Sequence, residues 1–314
     1  MSGVPVFTAR HVEQAVSPGR AVDAVRDAFV EHAAGRWTMP PKVYVTNYPA
    51  GDFRAMPALG GGYALLKWIN SFPGNPELGL PTVSGVVLLS EAESGQLRAV
   101  LDAGSVTALR TGAAAVLAAE LLGRTDAGTA AVIGAGVNGR AAARTFVARG
   151  RNVVLWDVDA VRASDAAREL ECGVAASLHE ALGADIVVTV TPGHHSLISK
   201  ETLRPGQHVS LMGADGPGKS EATNAALTTS TLFCDDWEQA SHGGELAHAV
   251  DAALVARDDV TPIGEVLAGD RPGRTSADEV TMFDSTGLAI QDLAVALAAF
   301  EAAGELEGLQ RLDL

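Results

Sequence analysis

Residues 130–140 read Ala-Ala-Val-Ile-Gly-Ala-Gly-Val-Asn-Gly-Arg, and the next apolar run, 153–156, ends in Asp157. No other stretch limits the fold so tightly. A short run of strand formers enters the turn Gly134-x-Gly136-x-x-Gly139, a helix follows through Ala148, and a second strand closes on an acid. Gly134 permits the tight turn, Gly136 admits backbone close to a pyrophosphate, and Gly139 lets helix and strand pack closely. The helix start then offers unpaired N–H groups and the positive end of its dipole to phosphates. Strand, glycine turn, helix and acid together make the dinucleotide-binding fingerprint in its full context. A carboxylate at that strand end accepts hydrogen bonds from a ribose 2′-hydroxyl and repels a 2′-phosphate, so Asp157 favours NAD(H) over NADP(H). Arg162, five residues on, reads as a solvated helix residue rather than a phosphate contact.

From 129 to about 281 the chain alternates strand and helix, with strands at 131, 153, 174, 186–190, 208–212 and 232–234. Such alternation implies a parallel sheet with right-handed crossovers. Ahead of it, residues 10–34 read as helices and 40–101 as short strands at 43–46, 63–69, 83–89 and 97–101, a mostly antiparallel sheet. An Ala-rich helix covers 101–122, and an amphipathic helix, 288–303, precedes a short acidic tail. The expected fold class is α/β: a Rossmann-type doubly wound parallel sheet plus a sheet-rich α+β domain. The expected domains are 1–122 with 288–314, for substrate and dimerisation, and 123–287 for NAD. The last helix and the first-domain sheet are both candidates for a dimer face.

A net charge of −15 argues against nucleic acid and anionic membrane surfaces, since phosphates demand a basic face. The start carries no basic segment followed by an apolar one, and no uninterrupted apolar run reaches membrane-spanning length. Cys172 and Cys234 lack C-x-x-C spacing and read as small hydrophobes in a reducing compartment. A cytoplasmic protein is expected. His194-His195 has no third ligand at a matching spacing, and His242 and His248 stand alone, so no metal is expected.

Four islands place polar residues in apolar surroundings: Phe53-Arg54-Ala-Met56-Pro57, Lys67 within 64–70, Leu109-Arg110-Thr111-Gly112, and 211–219 with Asp215 and Lys219. The last follows a strand, at the carboxyl end where doubly wound sheets bind ligands. In this order, R-x-M-P, the strand lysine, A-L-R-T, V-I-G-A-G-x-x-G, G-A-D-x-P-G-K and D-E-V-T-x-F-D-S-T-G resemble the ornithine cyclodeaminase/μ-crystallin family from about Pro40 to Gly287. The resemblance implies a Rossmann domain set in a sheet-rich domain that dimerises, acting with NAD(P) on small amino or cyclic imino acids. It implies Lys67 as the catalytic lysine and Asp215 as an acid/base, with Arg110 and Thr111 touching cofactor phosphate and substrate carboxylate. It also places Thr82, Val137, Asn138, Thr191, Met212 with Gly213 and Ala214, Lys219 and Ser285 at NAD contacts. The chemistry agrees: hydride exchange at an α-carbon needs a cation to fix the carboxylate and a group to exchange a proton with nitrogen.

One departure bears on the substrate. Ornithine cyclodeaminases resemble this chain at Met-Pro but carry glutamate two residues earlier, where Arg54 stands here. A cation there repels an ornithine ammonium and suits a second contact to the substrate carboxylate. Lys42 stands near the place of a carboxylate-binding arginine in relatives, and reads equally well as a surface lysine. The expected activity is an NAD(H)-dependent dehydrogenase of the alanine type. Alternatives are a pyrroline-2-carboxylate reductase, a cyclodeaminase that releases ammonia, and a non-catalytic binder of the μ-crystallin kind.

Overall fold

The computed structural model describes residues 3–193, 195–214, 216 and 218–313. The chain forms two compact units, Met1–Arg110 with Leu288–Leu314, and Thr111–Gly287. The division falls inside helix α3 (Ala103–Leu122), after Arg110, and not at the glycine-rich turn after residue 122 where it was expected. The second half of α3 is tied to the nucleotide-type unit. A Cβ on Gly112 would meet the Ala141 carbonyl oxygen at 2.6 Å, and Glu120 pairs with Arg149 at 2.8 Å. Where one continuous helix changes partners leaves no mark in its composition. This helix is long and apolar enough to cross a membrane, yet 72% of its most apolar window is buried within the fold.

The first unit is built on seven strands. They are β1 (Val4–Phe7), β2 (Val43–Asn47), β3 (Gly51–Gly60), β4 (Tyr63–Ser71), β5 (Val83–Glu91), β6 (Leu97–Asp102) and a terminal strand, Gln310–Leu312. Their order is terminal strand, β1, β6, β5, β4, β3, β2, and every pairing is antiparallel except β1 with β6. The tail therefore ends as an edge strand. β3 hides in the sequence because its inward face is partly charged: Asp52, Arg54, Met56 and Ala58 alternate on one buried side. The register sets Met56 and Val87 on either side of Lys67, which puts the lysine on that same face. The face is covered by the C-terminal helix Ala289–Glu301, which also packs on helix α2 (Pro18–Ala33). Helix α2 starts where Ser17 accepts a hydrogen bond from Arg20 N ahead of Pro18, a good first helical residue.

The other face of the sheet carries Val43, Val45, Phe53, Leu66, Trp68 and Val86, and all but the half-buried Phe53 are exposed. Residues 288–296 are buried throughout, so the C-terminal helix is a core element rather than a dimer face. The sheet alone retains that candidacy.

The second unit contains β7 (Thr129–Ile133), β8 (Asn152–Trp156), β9 (Gly173–Val174), β10 (Ile186–Thr189), β11 (His208–Leu211), β12 (Thr231–Cys234), β13 (Val260–Pro262) and β14 (Thr281–Asp284). All pairings are parallel, in the order β13, β12, β14, β11, β10, β7, β8, β9. Strand order reverses between β7 and β10, the switch point where such sheets bind ligands beyond their carboxyl ends. Helix α4 (Val137–Ala148) follows β7, and α5 (Ala160–Leu170) follows β8, capped by the Asp159 carboxylate.

Candidate active site

At the carboxyl end of β7, Gly134 takes a φ of +105°, a left-handed conformation that favours glycine. A Cβ there would meet the Val190 carbonyl oxygen at 2.4 Å, and one on Gly139 would fall 1.7 Å from the Gly134 carbonyl oxygen. Both glycines are therefore steric requirements. Around Gly136 the opposite holds: nothing lies within 4 Å of where its Cβ would be. Gly136 also caps α4 without a side-chain bond, leaving the first-turn N–H groups, those of Val137, Asn138 and Gly139, to an incoming anion. Open space in front of an uncapped helix start fits a dinucleotide pyrophosphate.

Asp157 sits at the end of β8, nearly buried. Its Oδ2 accepts from Ala135 N at 2.7 Å and its Oδ1 from Asp159 N at 2.9 Å. The same carboxylate that can receive a ribose hydroxyl thus straps the glycine loop to its neighbouring strand. Arg162 is a half-exposed residue of α5, as the sequence implies, and its Nη1 lies 3.8 Å from Oδ2 of the buried Asp157.

The remaining expected contacts in this unit lie on α3 and on the loops after β10, β11 and β14. Thr191 gives both its N–H and its hydroxyl to Glu221, at 2.9 and 2.6 Å. Met212, Gly213 and Ala214 are buried, Lys219 is half-buried, and the buried Ser285 donates its N–H to the Leu211 carbonyl. Thr111 is buried, and its Oγ1 makes no hydrogen bond among the described residues, an orphaned hydroxyl that a ligand would satisfy. Asp215 and His194 lie outside the described residues.

The first unit holds the other set. Lys67 Nζ is 2.6 Å from Asp292 Oδ2, with the side chains 1% and 0% exposed. Lys67 also donates to Thr107 Oγ1 at 3.3 Å. Arg110 Nε pairs with the other Asp292 oxygen at 3.5 Å but makes no hydrogen bond there. Burial pushes the Lys67 ammonium down to about 8. Asp292 resists that shift, and the charges of Arg110 and Lys42 add to it. The buried Lys67 and the partly buried Arg110 thus share one carboxylate, and the charge of Lys42 is near enough to be felt. The surplus of positive charge calls for an anion, and a guanidinium beside an ammonium suits a carboxylate. Thr82 stands just before β5 in this unit, its carbonyl accepting from Phe72 N at 2.8 Å.

Arg54 is not the lone cation that its position in the sequence implies. Its Nε donates to Asp52 Oδ1 at 2.6 Å and its Nη2 to Oδ2 at 3.3 Å, and its guanidinium lies 5.4 Å from the centre of the Tyr44 ring. Two residues apart on a strand, the acid and the base share one face. The pair is close to neutral, which removes most of the like-charge argument against an ornithine side chain.

Asp292, Asp52 and Thr107 escape the sequence reading. Asp292 had a signal, because Gln291-Asp292 is the only polar pair in the apolar run 288–300. A charged residue inside an otherwise apolar helix has to be paired when that helix is buried.

The family model described as ornithine cyclodeaminase/mu-crystallin family matches residues 5–306. Alanine dehydrogenase of Archaeoglobus fulgidus is 42% identical over 309 residues, 94% of each chain. Iminosuccinate reductase of Paracoccus denitrificans is 32% identical over 322 residues, 98% of this chain and 99% of that protein. Among solved structures, an archaeal alanine dehydrogenase dimer with bound NAD matches with a TM-score of 0.94 at 39% identity, covering 99% of both chains. Fold, glycine loop and matched length agree: the chain belongs to the ornithine cyclodeaminase/mu-crystallin family.

Proposed function

We propose that this protein is an NAD(H)-dependent oxidoreductase acting at the C–N bond of a small α-amino or α-imino acid, with L-alanine and its counterpart, pyruvate plus ammonia, as the substrate pair. The observation that carries the reading is the set of buried Lys67 and Asp292 with partly buried Arg110, whose excess positive charge a substrate carboxylate would balance. The similarity to alanine dehydrogenase supports the choice of substrate; the charge of Arg54, neutralised by Asp52, does not.

Residues 134–139 and the start of α4 would hold the pyrophosphate, and Asp157 would accept from a ribose hydroxyl. Bound there, NAD(H) supplies or takes up the hydride at the α-carbon. Arg110 fixes the substrate carboxylate in one orientation, and Lys67, protonated below its lowered pKa, polarises the oxygen beside the reacting carbon. Asp215, carried over by motif, exchanges the proton as nitrogen or water joins or leaves that carbon. We further propose a homodimer through the exposed apolar face of the first unit's sheet, an assembly supported by the dimeric archaeal alanine dehydrogenase.

The test is NADH oxidation with pyruvate plus ammonia, oxaloacetate plus ammonia, pyrroline-2-carboxylate and piperideine-2-carboxylate, with ammonia release from ornithine measured alongside. Fastest turnover with pyruvate plus ammonia is expected. Preference for a cyclic imine or for ornithine reassigns the substrate, and inertness toward all of them with NADH still bound points to a binding protein.

A further inference from the structure

Glu221 is wholly buried in the second unit and takes no part in the chemistry proposed above. Its Oε1 accepts from Thr191 N at 2.9 Å and Thr191 Oγ1 at 2.6 Å, and its Oε2 accepts from Gly213 N at 2.8 Å and Thr189 Oγ1 at 2.6 Å. The carboxylate thus bridges two loops that leave adjacent parallel strands, one after β10 and one after β11. Both loops emerge at the switch-point end of the sheet, and Gly213 stands two residues ahead of Asp215 in the chain. The contact is close enough to dictate a residue type, since a Cβ on Gly213 would fall 2.6 Å from Glu221 Cδ. The first loop in turn backs onto the glycine turn, where Val190 leaves no room for a side chain at Gly134.

The backbone around Glu221 is itself held. Glu245 accepts from Glu221 N at 2.8 Å, from Ala222 N at 2.6 Å and from Ser220 Oγ at 2.8 Å. Burial pushes the Glu221 carboxyl up while its four donors work against that shift. Burying a carboxyl here costs desolvation, and an apolar pair of loops would avoid that cost. What a carboxylate adds is a fixed spacing between two backbone N–H groups, which an apolar residue could not set.

We propose that Glu221 is a positioning residue. By clasping Thr191 and Gly213 it sets the distance between the two loops that border the coenzyme site at the switch-point end of the sheet. The inference rests on the coenzyme reading above. A glutamine cannot substitute, because each carboxylate oxygen receives a backbone N–H. Either orientation of the amide would set its NH2 against one of them.

The experiment compares the native protein with Glu221→Gln, with the milder Thr189→Val, which removes one hydroxyl donor, and with Val209→Ala. Val209 is buried in β11 and serves as a control that destabilises the same strand. Two quantities are read: amide hydrogen exchange in 190–193 and 212–214, and NADH affinity per folded molecule by fluorescence titration. Glu221→Gln should speed exchange in both loops while β10 and β11 stay protected, and weaken NADH binding about tenfold, as loss of one buried hydrogen bond to a charged group predicts. Thr189→Val should shift both readouts the same way by less, which keeps the test open if Glu221→Gln fails to fold. Unchanged loop exchange overturns the proposal, as does an NADH affinity loss no greater than that of Val209→Ala at matched thermal stability. A native protein that takes no NADH overturns the coenzyme reading itself, and that result is visible before any variant is made.

Discussion

Lys67 is held at 2.6 Å by a carboxylate and still falls to about 8, because burial outweighs its partner. If it works as a cation, kcat/KM should fall as pH rises through about 8. The folded value lies below the ordinary 10.5, so the folded protein sheds this proton first. Charge on Lys67 therefore costs stability below about 8, and that cost fades as pH climbs toward 10.5. Asp292→Asn removes the charge that retains the proton, so the activity limb should move to lower pH. Breaking such a pair typically costs about 3–5 kcal/mol, here partly relieved because Lys67 can neutralise itself. Lys67→Ala should lower kcat by roughly 10²–10⁴-fold with NADH affinity unchanged. A flat pH profile across this window, or near-native kcat in Lys67→Ala, would remove the lysine from the chemistry. Asp157 supports a second test at this scale. The native protein should bind NADH more tightly than NADPH, and Asp157→Ser should narrow the gap by releasing Arg162, 3.8 Å away, to meet a 2′-phosphate. It should also weaken NADH binding, because the strap to Ala135 N is lost. Adding Arg162→Ala should reverse the NADPH gain, and native affinities equal for both coenzymes would count against this account.

At the scale of elements, the glycine turn makes a sharper prediction than any catalytic residue. Gly139→Ala sets a methyl group 1.7 Å from the Gly134 carbonyl, so α4 has to lift from the loop. NADH binding should fall below detection, with lower thermal stability, while Gly136→Ala, which meets open space, should cost binding with little loss of stability. Titration and a melting curve for each variant check the contrast, and equal melting temperatures would contradict the packing described. The turn was legible because a dinucleotide site needs glycine at set spacings inside a strand–helix unit, and residues 131–157 show every part. β14 and β3 were not. Residues 281–284 follow a loop with no alternating pattern, and β3 carries charge on its inward face, so hydrophobic periodicity misreads it. Arg54 was picked out as unusual and misjudged in its surroundings, because β3 was not read as a strand and only a strand puts Asp52 on the face of Arg54. Asp292 lay in a helix whose burial became evident only once the sheet beneath it was in place.

For the whole molecule, the open face of the first unit's sheet has the most to explain. Val43, Val45, Leu66, Trp68 and Val86 are 38–58% exposed on one surface of a sheet whose other surface is covered along the middle of β3, β4 and β5. Phe53 and Trp68 stack on it with ring centres 5.7 Å apart. Monomers rarely present so continuous an apolar patch, and in the proposed homodimer a second copy with the same patch would cover it symmetrically. A stable homodimer interface needs about 800 Å² from each partner, within reach of a face four strands wide. The native protein should therefore elute at twice its chain mass of 32.2 kDa. Val45→Lys combined with Trp68→Glu places buried charge at the centre of the interface without touching the covered face, where Lys67 and Arg54 lie. That variant should elute as a monomer and keep the sheet's circular dichroism. Val161→Lys, on exposed α5 in the other unit, should leave the dimer intact. A native monomer, or a dimer that survives the double substitution, would mean that the patch serves some other surface and that assembly has to be sought elsewhere.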